Sequence, residues 1–317
     1  MAFCRTLAHL LVIGSLTLGP AACADGIIVH DARDRDVAIG DAARTVSIGG
    51  AITEILYALG FESRLVGVDT TSLYPAAALR DKPNVGYMRQ ISAEGVLGLN
   101  PTLILTIQGA GPKESMDSLE AAKVPLVLVP ETFSEEGLLA KIALVGHAMG
   151  ADARAACLSS AVAADLATLR ELRAKVTTPV RVMFVMSLQN GRAMVAGRKT
   201  AADEIIRLAG ATNAVDGYDG YKIIGDEAIV TAKPDVVLSI ERGPETLQAE
   251  AVFAHPGFAL TPVAANRAFI AMDGLYLLGF GPRTAAAARD LSLRLYPALA
   301  AQAGTFTSAV LSADCRQ

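Results

Sequence analysis

The chain repeats itself, and the repeat governs what it can fold into. Glu54-Ile55, with Gly60 six residues beyond the acid, returns as Glu204-Ile205 with Gly210 at the same spacing. Glu94, with Pro101 and an apolar run behind it, returns as Glu227 with Pro234 and the run 235–238, again at the same spacing. Internal similarity of this kind marks a duplicated unit. In the first unit the pattern predicts strands over 45–48, 65–68, 102–106 and 126–129, with helices over 52–59 and 93–99. In the second it predicts strands over 180–186 and 235–240, with helices over 200–209 and 226–232. Strands alternating with helices build parallel sheets, because a parallel pair needs a crossover long enough to hold a helix.

Between the units lie a helical stretch over 134–149, an interrupting Gly150, and a run over 151–175 with almost no helix breaker. About 25 helical residues span roughly 38 Å, enough to brace two bodies side by side. Ala155, Leu158, Val162, Leu166, Leu169 and Leu172 recur at intervals of three and four, so one face of this helix packs inward. The expected fold is α/β: two Rossmann-like lobes with parallel sheets, 25–150 and 176–317, joined by one long α-helix, 151–175. A single stiff strut allows little opening, so the expected ligand-driven motion is small.

Residues 1–24 read as a signal peptide: Arg5 is the positive segment, 7–18 the apolar core, and Ala22-Cys23-Ala24 the small-residue cleavage site. This predicts export to the periplasm, with lipid attachment at Cys23 as the alternative. Cys157 and Cys315 then remain, and they can pair in an oxidising compartment or persist as a buried thiol and a tail thiol. The length, 317 residues with 52% apolar, is enough for two cores. A formal net charge of −4 supplies no basic field for nucleic acid. Walker A, G-x-G-x-x-G and G-x-S-x-G patterns are missing, and His30, His147 and His255 are scattered, which argues against ATP hydrolysis, dinucleotide binding, hydrolase chemistry and a zinc or manganese site.

The segment with chemistry is Gly86-Tyr87-Met88-Arg89-Gln90-Ile91-Ser92-Ala93-Glu94. A phenol can give a phenolate oxygen to a hard, electron-poor centre, and a cation two residues away can hold that oxygen in place. Tyrosinate is one of the few protein ligands of haem iron. In an extended loop this spacing puts Tyr87 and Arg89 on one side of the backbone. Tyr74, before Pro75, has no cation at matching spacing and reads as cleft wall. With the stretch 277–283, this segment closely resembles the haem-binding periplasmic proteins of bacterial ABC importers.

The resemblance implies a single-helix-linked binding protein, not an enzyme. It implies haem (hemin) as the transported ligand and an ABC permease dimer with its ATPase subunits as partner. It implies that Tyr87 binds the haem iron, that Arg89 hydrogen-bonds the phenolate, and that one acid per lobe, Glu54 and Glu204, docks on the permease. The protein is expected to act as a monomer. Met186, Tyr218 and Tyr221 are possible distal partners, and Arg192, Arg198, Lys199, Arg242 and Arg283 possible partners for the propionates. A ferric siderophore or cobalamin is the alternative ligand on the same fold.

Overall fold

The computed structural model describes residues 26–241, 243, 245–301 and 307–316. The expected signal segment and Arg242 lie outside them. An antiparallel hairpin, β1 (Ile27–His30) and β2 (Asp36–Ile39), precedes the first lobe. That lobe runs β3 (Thr45–Ile48), α1 (Gly50–Ala58), β4 (Leu65–Val68), α2 (Ala77–Asp81), α3 (Ala93–Leu97), β5 (Leu103–Ile107), α4 (Lys113–Ala121) and β6 (Leu126–Val129). Its sheet has the order β4-β3-β5-β6 and every pair is parallel. β3, β5 and β6 are buried along their whole length because helices cover both faces.

Two helices follow, α5 (Glu135–Ala148) and α6 (Asp152–Arg173). Gly150, at φ +69°, separates them. Ala155, Leu158, Val162, Leu166, Leu169 and Leu172 are all buried along α6, as their spacing requires.

The second lobe contains β7 (Arg181–Gln189), β8 (Arg192–Ala196), α7 (Ala201–Leu208), β9 (Thr212–Asn213), β10 (Tyr221–Ile224), α8 (Asp226–Ala232) and β11 (Val236–Glu241). It continues through α9 (Ala249–Phe253), α10 (Pro256–Ala259), α11 (Pro262–Ala265), β12 (Phe269–Asp273), α12 (Gly274–Leu278), α13 (Thr284–Leu295), α14 (Pro297–Ala300) and α15 (Ala309–Ser312). The parallel sheet expected here is present and carries an antiparallel extension at one edge. β7, β11 and β12 are parallel, and β8 pairs antiparallel with both β7 and β10 along the order β10-β8-β7-β11-β12. The cause is Asn190-Gly191, with φ of +51° and +68°. A two-residue turn with both residues in the left-handed region folds a strand straight back on itself.

The duplication is visible in the backbone. α1 ends with Gly60 N–H donating to Tyr57 O and Phe61 N–H to Leu56 O; α7 ends with Gly210 N–H donating to Arg207 O and Ala211 N–H to Ile206 O. Both glycines sit at positive φ, +79° and +83°, which this helix stop demands. The lobes are joined by more than α6. One apolar core runs from Ile52 and Leu105 through Leu158 and Leu166 to Phe184, Leu277 and Phe280, and a smaller core fills the far side of each lobe. Cys157 and Cys315 are bonded, with Cα atoms 5.6 Å apart. No helix among the described residues is long and apolar enough to cross a membrane.

Candidate functional site

Tyr87 lies in the loop between α2 and α3, and the loop is pinned on both sides. Thr70 N–H donates to Gly86 O at 2.9 Å, Gly111 N–H to Met88 O at 2.9 Å, and Ile91 N–H to Gly111 O at 2.8 Å. Met88 packs between two apolar cores and anchors the loop from beneath. The loop is a turn rather than extended chain, closed by Gln90 N–H donating to Tyr87 O at 2.7 Å. Gly86 leads into it at φ +98°, a conformation that favours glycine. The turn still brings the expected pair together: Arg89 Nη1 donates to the Tyr87 hydroxyl at 3.3 Å. Tyr87 is 39% exposed, so its oxygen is open to an incoming ligand.

The seam between the lobes holds two cavities. One, of about 440 Å³, lies between Phe133 of the first lobe and Arg198, Lys199, Thr200, Asp203 and Glu204 of the second. The other, of about 320 Å³, is lined by Leu73 and Tyr74 from the first lobe and Asp273, Tyr276, Arg283 and Asp290 from the second. The loop carrying Tyr74 is braced from within. Asp69 accepts hydrogen bonds from Gly49 N–H, Thr71 and Ser72, and the Ser72, Thr53 and Ser47 hydroxyls continue the chain at 2.7 Å per step. Tyr74 does have a cation, supplied by the other lobe: the Arg283 guanidinium lies 3.5 Å from the centre of its ring. Long-range contact supplied what local spacing did not.

The basic residues divide. Arg283 is paired with Glu54. Arg198 and Lys199 both pair with Asp219, at 3.1 and 2.8 Å. The α7 N-terminus beside them is capped by its own side chains, Thr200 Oγ1 accepting from Asp203 N–H and Asp203 Oδ2 from Lys199 N–H. Arg192 is exposed at the start of β8 rather than in a loop. Among the distal candidates, Tyr218 donates its hydroxyl to Val195 O at 3.0 Å, and burial pushes its pKa up, so it stays a protonated phenol. Met186 is half-buried at a bulge of β7, and Tyr221 is exposed at the start of β10, edge-on to Phe184.

Glu54 and Glu204 do not form a matched pair of open acids. Glu54 is 5% exposed and accepts two guanidinium bonds, each 3.0 Å, and the backbone N–H of Arg283 at 3.3 Å. Burial pushes its carboxyl pKa up, against the opposing pull of Arg283. Glu204 is held by Arg207 one turn along α7. The acids exposed at matching positions are instead Glu94 and Glu227, in the first turns of α3 and α8. The repeat in the sequence contained that signal, but spacing gives no measure of exposure. The three histidines among the described residues are occupied: His30 by Asp34 and Asp36, His147 by Asp152 and Ile28 O, His255 by Gly191 O and Gly257 N–H.

Two α/β lobes on a single long helix, with cavities at the seam and an exposed Tyr-Arg pair on a pinned loop, define a substrate-binding protein rather than an enzyme. The chain belongs to the periplasmic binding protein family, whose model matches residues 46–275. It is 41% identical to the periplasmic heme-binding protein BhuT, solved in complex with two hemes, over 81% of this chain and 98% of that one, with a TM-score of 0.76. It is 39% identical to the periplasmic heme-binding protein RhuT of Roseiflexus sp. RS-1, over 81% and 99% of the two chains, with a TM-score of 0.77. YvrC of Bacillus subtilis (strain 168), an ABC transporter substrate-binding lipoprotein, is 25% identical over 86% of each chain.

Proposed function

We propose that this protein captures haem outside the cytoplasm and delivers it to an ABC permease with its ATPase subunits. Tyr87 is the axial ligand to the haem iron, and Arg89 holds the phenolate. The observation that carries the reading is the Arg89–Tyr87 hydrogen bond on a doubly pinned, exposed loop, in a chain so similar to two heme-binding proteins. An iron-bound phenolate gains a charge-assisted bond from the guanidinium. For the permease, Glu94 and Glu227 are the acids a two-fold partner can reach. Glu54 and Glu204 are already held by arginines.

The test is the visible spectrum of the mature protein with ferric haem, beside Tyr87→Ala. A shifted Soret band with the charge-transfer bands of a high-spin tyrosinate complex, lost in the variant, is expected. No saturable change in the parent protein would overturn the haem reading and turn attention to ferric siderophores and cobalamin. A change that survives the substitution would move the ligand to Tyr74 or the second lobe.

A further inference from the structure

The loop between α12 and α13, Gly279-Phe280-Gly281-Pro282-Arg283, reaches out of the second lobe and is held by the first through three of its residues. Gly281 lies against α1, where a Cβ would stand 3.3 Å from the Glu54 carboxyl carbon. Phe280, at φ +49° and 1% exposed, sets its ring edge-to-face on Phe133, with centroids 5.2 Å apart. Its carbonyl accepts from Lys141 Nζ at 3.2 Å. Lys141 is 1% exposed on α5 and bonds Glu131 Oε1 at 2.6 Å. Arg283 closes the set by its two-pronged bond to Glu54, its guanidinium lying near the Tyr74 ring of the first lobe and the Tyr276 ring of the second.

We propose that this loop is an interlobe clasp that fixes the width of the cleft, and that Arg283 is its positioning residue, orienting Tyr74 at the cleft edge. Glu54 and Lys141 are charged groups with almost no access to water. Parting the lobes slightly would leave Glu54 buried without Arg283, which is strongly unfavourable, and would take the Phe280 carbonyl from Lys141 while leaving it Glu131. The clasp therefore resists partial opening of the cleft. A cleft held in this way is formed before its ligand arrives. Emptying it requires a partner that breaks the clasp, whichever molecule the cleft carries.

The apo protein, disulfide intact, tests this independently of haem. Nitroxide labels on Ser118→Cys in α4 and Ala265→Cys in α11 report the interlobe distance by pulsed EPR. The unaltered clasp should give one narrow distribution. Arg283→Met should broaden it and lengthen the mean by several ångströms, while Arg283→Lys recovers part of the narrow population. Glu54→Gln, which keeps the shape of the side chain, serves if Arg283→Met does not fold and should broaden the distribution in the same sense. A broad distribution in the parent, or unchanged distances in the variants, would overturn the clasp.

Discussion

Arg89 and Tyr87 are two residues apart, yet what makes them a pair is the turn that closes between Tyr87 O and Gln90 N–H. The turn holds the guanidinium within 3.3 Å of the phenol oxygen before any ligand arrives, so little side-chain freedom remains to be lost on binding. A hydrogen bond to a charged group contributes about 1.5–3 kcal/mol. Arg89→Ala should therefore keep the tyrosinate spectrum but release haem roughly 10- to 100-fold faster to an excess of scavenger. An unchanged release rate would mean that the guanidinium serves only the free protein.

At the scale of elements, the N-terminal hairpin shows how one buried acid docks a segment that is too short to hold itself. The Asp31 side chain accepts from Arg33 N–H at 2.8 Å and from Arg35 Nε and Nη2 at 3.1 and 2.6 Å, while Ala32 N–H reaches Leu128 O on β6 at 2.8 Å. Burial alone would raise its pKa, but the Arg35 side chain and the two backbone N–H groups outweigh burial and hold it below the ordinary 3.8. The sign follows from linkage. The folded state binds the proton less readily, so the stabilisation is complete above pH 3.8 and is lost as pH falls through the lowered value. Asp31→Ala should cost about 1.5–3 kcal/mol in urea unfolding at neutral pH. The difference from the parent should narrow in strong acid, and a difference that persists there would assign the loss to packing rather than charge.

Over the whole molecule, the lobes are tied three times: by α6, by the seam, and by the C-terminal segment. Asp165 on α6 accepts from Ser308 Oγ and Ala309 N–H at 2.6 and 2.7 Å, Cys315 bonds Cys157, and Arg316 pairs with Glu62 of the first lobe. The segment thus runs back along the linking helix from one lobe to the other. The disulfide closes a sequence separation of 158 residues that contains the second lobe. Closing a loop of that size stabilises by about 2–5 kcal/mol through the unfolded chain, which corresponds to roughly 5–15 °C in melting midpoint. Reduction, or Cys157→Ser with Cys315→Ser, should lower the midpoint by that amount. A midpoint indifferent to reductant would show that the noncovalent contacts of this segment suffice.

Much of this was legible in the residues alone. The strands and helices of the repeated unit, the two helix stops at Gly60 and Gly210, the buried face of α6 and the pairing of Tyr87 with Arg89 follow from local periodicity and spacing, because backbone geometry repeats over a few residues. The antiparallel return at Asn190-Gly191 is also local in origin, a two-residue turn between apolar runs, but was not among the expectations. What tertiary structure alone decided is which charges meet across long separations. Arg283 on Glu54 and Tyr74, Lys141 on Phe280 O, and Cys157 with Cys315 join residues more than a hundred positions apart. Burial then determined their roles. A propionate partner expected in Arg283 became the centre of an interlobe contact, and two acids expected at the surface were already held. Sequence sets each residue's chemistry and its local direction; only the folded chain decides which partner stands opposite and whether water can reach it.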